Sequence, residues 1–242
     1  NRTAPEGSGN PKDGNPPKGV DYDLWLGPAP KRAFNPNRFH HNFRWFWDYG
    51  NGLCNDWGVH LNDIILWGMN VKAPLSVSAI GGKQFIKDNS DTPDTLDIYF
   101  EYPGFTHVYT VRRGRNSHGF HNKSHGMEFE GDQAVLTLDR GGWFVTPKNE
   151  KIQPFRHGSS EQHFNHVKDF LASLRDGSRK TASDIEAMHR ATTTCHLANI
   201  AIRLGRRIEW DPETEMIVGE DAEMLNEKWA KREQRAKYAV EV

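Results

Sequence analysis

Asp56, His60 and Asp63 fall at spacings of four and three residues inside the otherwise apolar run "NDWGVHLNDIILWG". On a helix of 3.6 residues per turn, steps of four and seven bring side chains back to nearly the same side, so the three share one face. An imidazole that titrates near neutral pH beside carboxylates can move a proton to or from a bound hydroxyl. The same spacing also describes charged residues on a solvated helix face, and the residue pattern alone leaves both readings open. The surroundings help the reading as a working site. Gly50, Asn51 and Gly52 read as a flexible entry loop, and Trp45, Trp47, Tyr49 and Trp57 cluster around it with Arg44. Aromatic faces and an arginine fork suit a sugar, although the rings could equally be core.

Other residues that could do chemistry are weaker candidates. His118, His121 and His125, with His40 and His41, could ligate zinc, nickel or copper, but their neighbours are Gly, Asn and Ser with no cysteine or carboxylate at ligand spacing. A metal held by Asp56, His60 and a loop histidine is a separate option. His163, His166, His189 and His196 lie on later helical segments; His196 shares its face with Asn199 and is the best of them. Cys54 reads as a small buried residue, and Cys54 and Cys195 are too few and too far apart in sequence for a disulfide framework.

The elements that must position these residues follow from periodicity and breaks. Residues 1–20, rich in Pro, Gly and Asn, read as an extended linker or arm, and 21–242 as the folded domain. The series Gly7, Gly9 and Gly14 has no preceding strand and is interrupted by Pro11, so it is no phosphate loop. An aromatic loop over 21–49 leads to a helix of roughly 53–69. Strands are expected at 75–81, 95–102, 106–113, 126–130, 133–139 and 142–146, with hairpins at "GDQ" and "RGG". Helices follow at about 160–176 and 182–204; in the first, Phe164, Val167, Phe170, Leu171 and Leu174 form an apolar stripe. A short strand, "RIEW", precedes a charged tail. The fold class is α+β: a large open mixed or antiparallel sheet covered on one face by helices.

Composition narrows the function. Lys plus Arg total 31 against 32 Asp plus Glu in 242 residues, giving a formal net charge of −1, which offers no bulk attraction to nucleic acid or a membrane surface. No apolar run reaches the roughly 18 residues of a membrane span. The chain begins with Asn1 rather than Met and reads as a piece of something longer.

The string "WFWDYGNGLCNDWGVHLNDIILWG", together with "DYDLWLGPAP", "MEFEGDQAVLTLDRGGWFVTP" and "HVKDFLASLRDGSRKTASDIEAMHRATTTCHLANIAIRLGRRIEWDP", resembles successive pieces of the C-terminal domain of the glucose-fructose oxidoreductase, inositol dehydrogenase and MocA family (Gfo/Idh/MocA). The resemblance implies a GAPDH-like C-terminal domain that supplies the substrate pocket and the oligomer interface of an NAD(P)-dependent dehydrogenase acting on a secondary alcohol of a sugar, cyclitol or polyol. It implies Asp56 and His60 as the acid/base pair; Arg44, Trp47, Tyr49, Asn55, Asp63 and His196 are the substrate-binding candidates beside them. The family's N-terminal Rossmann domain and its EKP lysine are not found in this sequence, and no strand, glycine turn and helix unit that would hold NAD or NADP is evident. The chain alone is therefore expected to be inactive, to bind no cofactor or metal itself, and to form a dimer or tetramer through its sheet. The tail "KREQRAKYAV" departs from the family's usual finish, which puts its packing in question. Two rival readings are a non-catalytic carbohydrate-binding or assembly module and a metal-dependent lyase of related fold.

Overall fold

The computed structural model describes residues 4–113, 121, 123–158, 161–231 and 233–239. The chain forms two compact units, one of Asn1–Arg115 with His189–Val242 and the other of Asn116–Met188.

The first unit is built on a five-stranded antiparallel sheet. Its strands are β1 (Ser76–Gly82), β2 (Thr95–Tyr102) and β3 (Phe105–Arg112), joined by β8 (Ile208–Asp211) and β9 (Met216–Val218) in the order β3-β2-β1-β8-β9. In β2, "TLDIYFEY", alternate residues point to opposite faces, so Leu96, Ile98, Phe100 and Tyr102 are all buried. Leu96 pairs with Val111 and Ile98 with Tyr109, extending the same apolar layer into β3. Each fully buried side chain of this kind contributes about 1.5–3 kcal/mol. The opposite face carries Ile80, Tyr99 and Val108 in the open.

Three α-helices lie in chain order before that sheet: α1 (Tyr22–Leu26), then α2 (Gly52–Asp56) followed at once by α3 (Gly58–Met69). The single helix expected over 53–69 is thus interrupted at Trp57, which caps both pieces while keeping right-handed dihedrals. A Cβ at Gly58 would stand 3.1 Å from the Cys195 sulfur, tighter than most side-chain contacts, so glycine suits the close approach of α3 to the helix α5 (Ile185–Leu204). The Tyr109 hydroxyl donates to the Leu53 carbonyl at 3.1 Å and ties α2 to the sheet.

The arm is held by side chains rather than by a core. Buried Asn37 donates through Nδ2 to the Ser8 and Gly9 carbonyls, and buried Asn35 donates to the Pro11 carbonyl and to Asp13. Asp88 accepts from the Ser8 N–H at 2.9 Å and from Lys83 at 3.0 Å. Burial works against its charge, but Ser8, Ser90 and Lys83 together outweigh that and hold its carboxyl down at about 2. The tail is anchored likewise: Arg235 donates to Asp23 and to the Gly27 carbonyl, and Tyr238 donates to Asp23 at 2.8 Å. That answers the question raised by its unusual sequence.

The second unit contains a four-stranded antiparallel sheet of β4 (Met127–Glu130), β5 (Ala134–Asp139), β6 (Gly142–Pro147) and β7 (Phe155–Gly158), in that order. Both expected hairpins form, Glu130 facing Val135 and Asp139 facing Gly142. β7 and β9 were not anticipated, because four- and three-residue strands with little apolar alternation leave no periodic signal. The helix α4 (Gln162–Arg175) also belongs to this unit. The α+β class with antiparallel sheets is as expected, with the strands divided between two sheets.

Candidate functional site

The loop "DYGNG" is shaped by close approach rather than by looseness. A Cβ at Gly50 would sit 2.4 Å from the Arg44 Cα, and one at Gly52 would sit 2.7 Å from Thr92. Asn51 and Gly52 both take positive φ, 59° and 68°, which asparagine and glycine tolerate best. Gly50 therefore lets the entry to α2 press against Arg44, and Gly52 lets it press against Thr92.

Arg44 sits on a 3₁₀ turn, His40–Trp45, that places His41 one turn before it. Its Nε lies 3.4 Å from Asp56 Oδ1, and its Nη1 is 3.1 Å from His41 Nε2. The Nε makes an ion pair without hydrogen-bond geometry. Both partners are about one-quarter exposed, so solvent screens the pair and its worth is orientation more than stability. His60, in the first turn of α3, is exposed, and Asp63, one turn on, is half-buried.

The neighbouring residue, Asn55, faces α5. Its Nδ2 is 3.5 Å from His196 Nδ1, and its Oδ1 accepts from Asn199 Nδ2. Asn199 is buried, and its Oδ1 makes no hydrogen bond within the protein. Cys54 and Cys195 are both buried free thiols, the Cys54 S–H reaching the Cys195 carbonyl at 3.6 Å. The adjacent Cys195 thiol and burial push the Cys54 thiol up, the opposite of what a reactive thiolate needs.

The aromatic candidates separate. Trp45 is core, beneath Arg113, whose Cζ stands 3.7 Å from its ring centroid. Trp47 is half-buried; its backbone N–H donates to Asp91 at 2.8 Å, and the Arg203 Cζ lies 5.2 Å from its ring. Tyr49 packs on Trp25 at 5.2 Å, and burial pushes its hydroxyl up to about 12. It lines a cavity of about 510 Å³ with Trp25, Leu26, Phe43, Asp48 and Gln234, a cavity whose walls do not include Asp56 or His60. The structure thus joins Arg44 to Asp56 and Asn55 to His196, and places Tyr49 elsewhere. Sequence reasoning missed Arg203 and Trp229. The helical spacing of Arg203 from Asn199 and His196 could have drawn attention to the first.

Among the described residues no three His, Cys, Asp or Glu side chains gather as metal ligands, and no helix is long and apolar enough to cross a membrane. His118 lies outside the described residues, and His121 is 2.7 Å from Glu128. A dinucleotide needs a parallel strand, glycine turn and helix. Both sheets here are antiparallel, so the described residues form no such unit.

Comparison with known proteins bears on both the sequence and the fold. Residues 6–110 match the "Oxidoreductase family, C-terminal alpha/beta domain" of the Gfo/Idh/MocA group. That match covers the first part of the chain, and residues 111–242 lie outside it. No curated protein matches the sequence. Among solved structures, a protein of Desulfitobacterium hafniense assigned as an NADPH-dependent oxidoreductase is similar at TM-score 0.57 and 14% identity, over 72% of this chain and 52% of that one. Levoglucosan dehydrogenase, in complex with NADH and levoglucosan, is similar at 0.55 and 12%, over 69% and 52%. The UDP-N-acetylglucosamine 3-dehydrogenase of Acidithiobacillus ferrooxidans is similar at 0.51 and 14%, over 76% and 56%. At these identities the likeness is one of fold, and the chain spans about half the length of the structures it matches.

Proposed function

We propose that this chain is the substrate-side domain of an NAD(P)-dependent oxidoreductase acting on a secondary alcohol of a sugar, cyclitol or polyol, with Asp56 and His60 as its acid/base pair. The observation that carries this reading is the Arg44–Asp56 pair at 3.4 Å, on the turn where Asn55 is tied to Asn199. Levoglucosan dehydrogenase and the UDP-N-acetylglucosamine dehydrogenase share the fold, which supports a carbohydrate substrate. The nicotinamide cofactor supplies the hydride chemistry and is held by a Rossmann domain outside this chain. Within the chain, His60 takes the hydroxyl proton and, being exposed, hands it to water. Asp56, oriented by Arg44, holds the substrate or the imidazole; Asn55 and His196 offer hydrogen bonds to neighbouring hydroxyls. Asp63 and Trp47 complete the substrate-binding set, and Tyr49, which lines a separate cavity, stands outside it. Copies of the chain associate through the exposed sheet face bearing Ile80, Tyr99 and Val108.

Joining the chain to a Rossmann domain of the same family should give dehydrogenase activity, and His60→Ala should then lower kcat by about 10²–10⁴-fold near neutral pH. Unchanged kcat in that variant would remove the catalytic assignment. A carbohydrate-binding module, by contrast, would bind sugars tightly by calorimetry with no nucleotide domain present.

A further inference from the structure

Arg203 is the last-turn arginine of α5 and is exposed. Its Cζ lies over two indole rings, 5.2 Å from the Trp47 centroid and 4.6 Å from the Trp229 centroid. Trp47 belongs to the loop before α2, and Trp229 to the π-helical turn Asn226–Ala230 near the end of the chain. Two rings from segments so far apart in sequence hold one guanidinium. Contact of this kind uses the flat face of the guanidinium, and it leaves the N–H groups in its plane for an acceptor.

No described carboxylate forms an ion pair with Arg203. Three other arginines of this unit are satisfied differently: Arg112 grips Asp97 through two 2.7 Å bonds, Arg206 pairs with Asp221, and Arg207 pairs with Glu101. Arg203 is thus positioned by aromatic faces and carries an open fork of donors.

Its place relative to the candidate site follows from the helix. Asn199, which donates to Asn55, is four residues before Arg203, a rise of about 6 Å along the same side of α5. His196 lies a further turn back, beside Asn55. One helix side therefore offers an imidazole, an amide and a guanidinium in sequence, the first two against the residue next to Asp56 and the third beside Trp47. A span of that size matches one sugar ring and a substituent.

We infer that Arg203 is a specificity-determining residue that receives an anionic group, a carboxylate or phosphate, carried by the sugar substrate. This inference rests on the sugar-site reading above. A planar two-donor fork suits either anion, and clamping the guanidinium beforehand removes the cost of ordering it on binding. Trp47, placed beside it, packs on the ring to which the anion is attached.

The test is a titration of the whole chain, followed by the indole N–H resonances of Trp47 and Trp229, with three probes: glucuronate, glucose and inorganic phosphate. Glucuronate should shift both resonances saturably and bind about tenfold more tightly than glucose. Saturation by phosphate alone as well would assign the subsite to phosphate and carboxylate alike, while glucuronate alone would restrict it to carboxylates; both support the inference. Arg203→Met should abolish the preference. Should Arg203→Met lower the unfolding midpoint, Arg203→Lys keeps the charge without the planar fork and should lose part of the preference.

Equal binding of glucose and glucuronate, an unchanged preference in both variants, or no saturable shift with any probe would each overturn the anion site. Equal binding leaves the sugar-dehydrogenase reading standing. Full activity of His60→Ala in the joined enzyme, with the glucuronate preference intact, would remove the catalytic reading and leave Arg203 in place.

Discussion

The helices α4 and α5 invert what their sequences advertise. α4, "QHFNHVKDFLASLR", has a clean apolar stripe, yet Phe164, Val167, Phe170, Leu171 and Leu174 are between 41% and 65% exposed. α5, "IEAMHRATTTCHLANIAIRL", has a weaker stripe, yet eight of its residues from Ala191 to Ala201 are buried. The burying residues of α5 are largely Ala, Thr and Cys, small enough for Gly58 and Tyr109 to come close. Amphipathicity says that a face can be buried; the partner element decides whether it is. A stripe left bare within a single chain is a surface for association, whereas the face of α5 is spent inside its own unit.

That contrast can be broken by mutation. Leu197→Ala on α5 should cost about 3 kcal/mol in urea denaturation, since the side chain is fully buried and leaves a cavity. The matching change on α4, Phe170→Ala, should cost under about 0.5 kcal/mol at low protein concentration. Equal costs would mean that α4 is packed in solution.

A second difference is electrostatic. His107 in β3 stacks on Phe100 at 5.0 Å, and burial pushes its imidazole down to about 4 from 6.5. The unfolded chain then takes up a proton that the folded chain refuses. Stability from this group is complete above pH 6.5, falls as pH drops towards 4, and changes no further below that. The loss should be about 3 kcal/mol in chemical denaturation at a pH series, and His107→Leu should flatten it. Asp88 adds a smaller loss at lower pH. Its carboxyl lies at about 2, so its contribution is present above the ordinary range near 3.8 and disappears as pH falls through about 2.

Gly50→Ala should cost about 1–3 kcal/mol in a thermal melt, because the new methyl meets the Arg44 backbone. In the joined enzyme it should also lower kcat, by displacing Arg44 from Asp56. Smallest of all, Val108→Lys should leave stability within about 0.5 kcal/mol, as an exposed sheet position does, while light scattering shows the assembly reduced to monomer. An assembly that survives this change would place the interface elsewhere, the bare stripe of α4 being the first alternative.

Much of the local architecture was legible in the residues. The strand over 95–102 follows from strict alternation in "TLDIYFEY", and both hairpins from glycine between apolar runs. The close approach of Gly58 to Cys195 was not legible, because the two lie 137 positions apart in sequence. The holding of the arm by Asn35 and Asn37 was hidden for the same reason: an asparagine in a loop looks alike whether it faces water or a carbonyl from another segment.

By itself the sequence determined the element types, the turns and the family resemblance, since propensity and periodicity are local and survive without any partner. Tertiary structure alone decided that Asn55 meets His196 and Asn199, that Arg44 meets Asp56 across the glycine loop, and that Trp47 and Trp229 close on Arg203. Those meetings depend on how distant segments cross over the sheet, and no local pattern encodes a crossing.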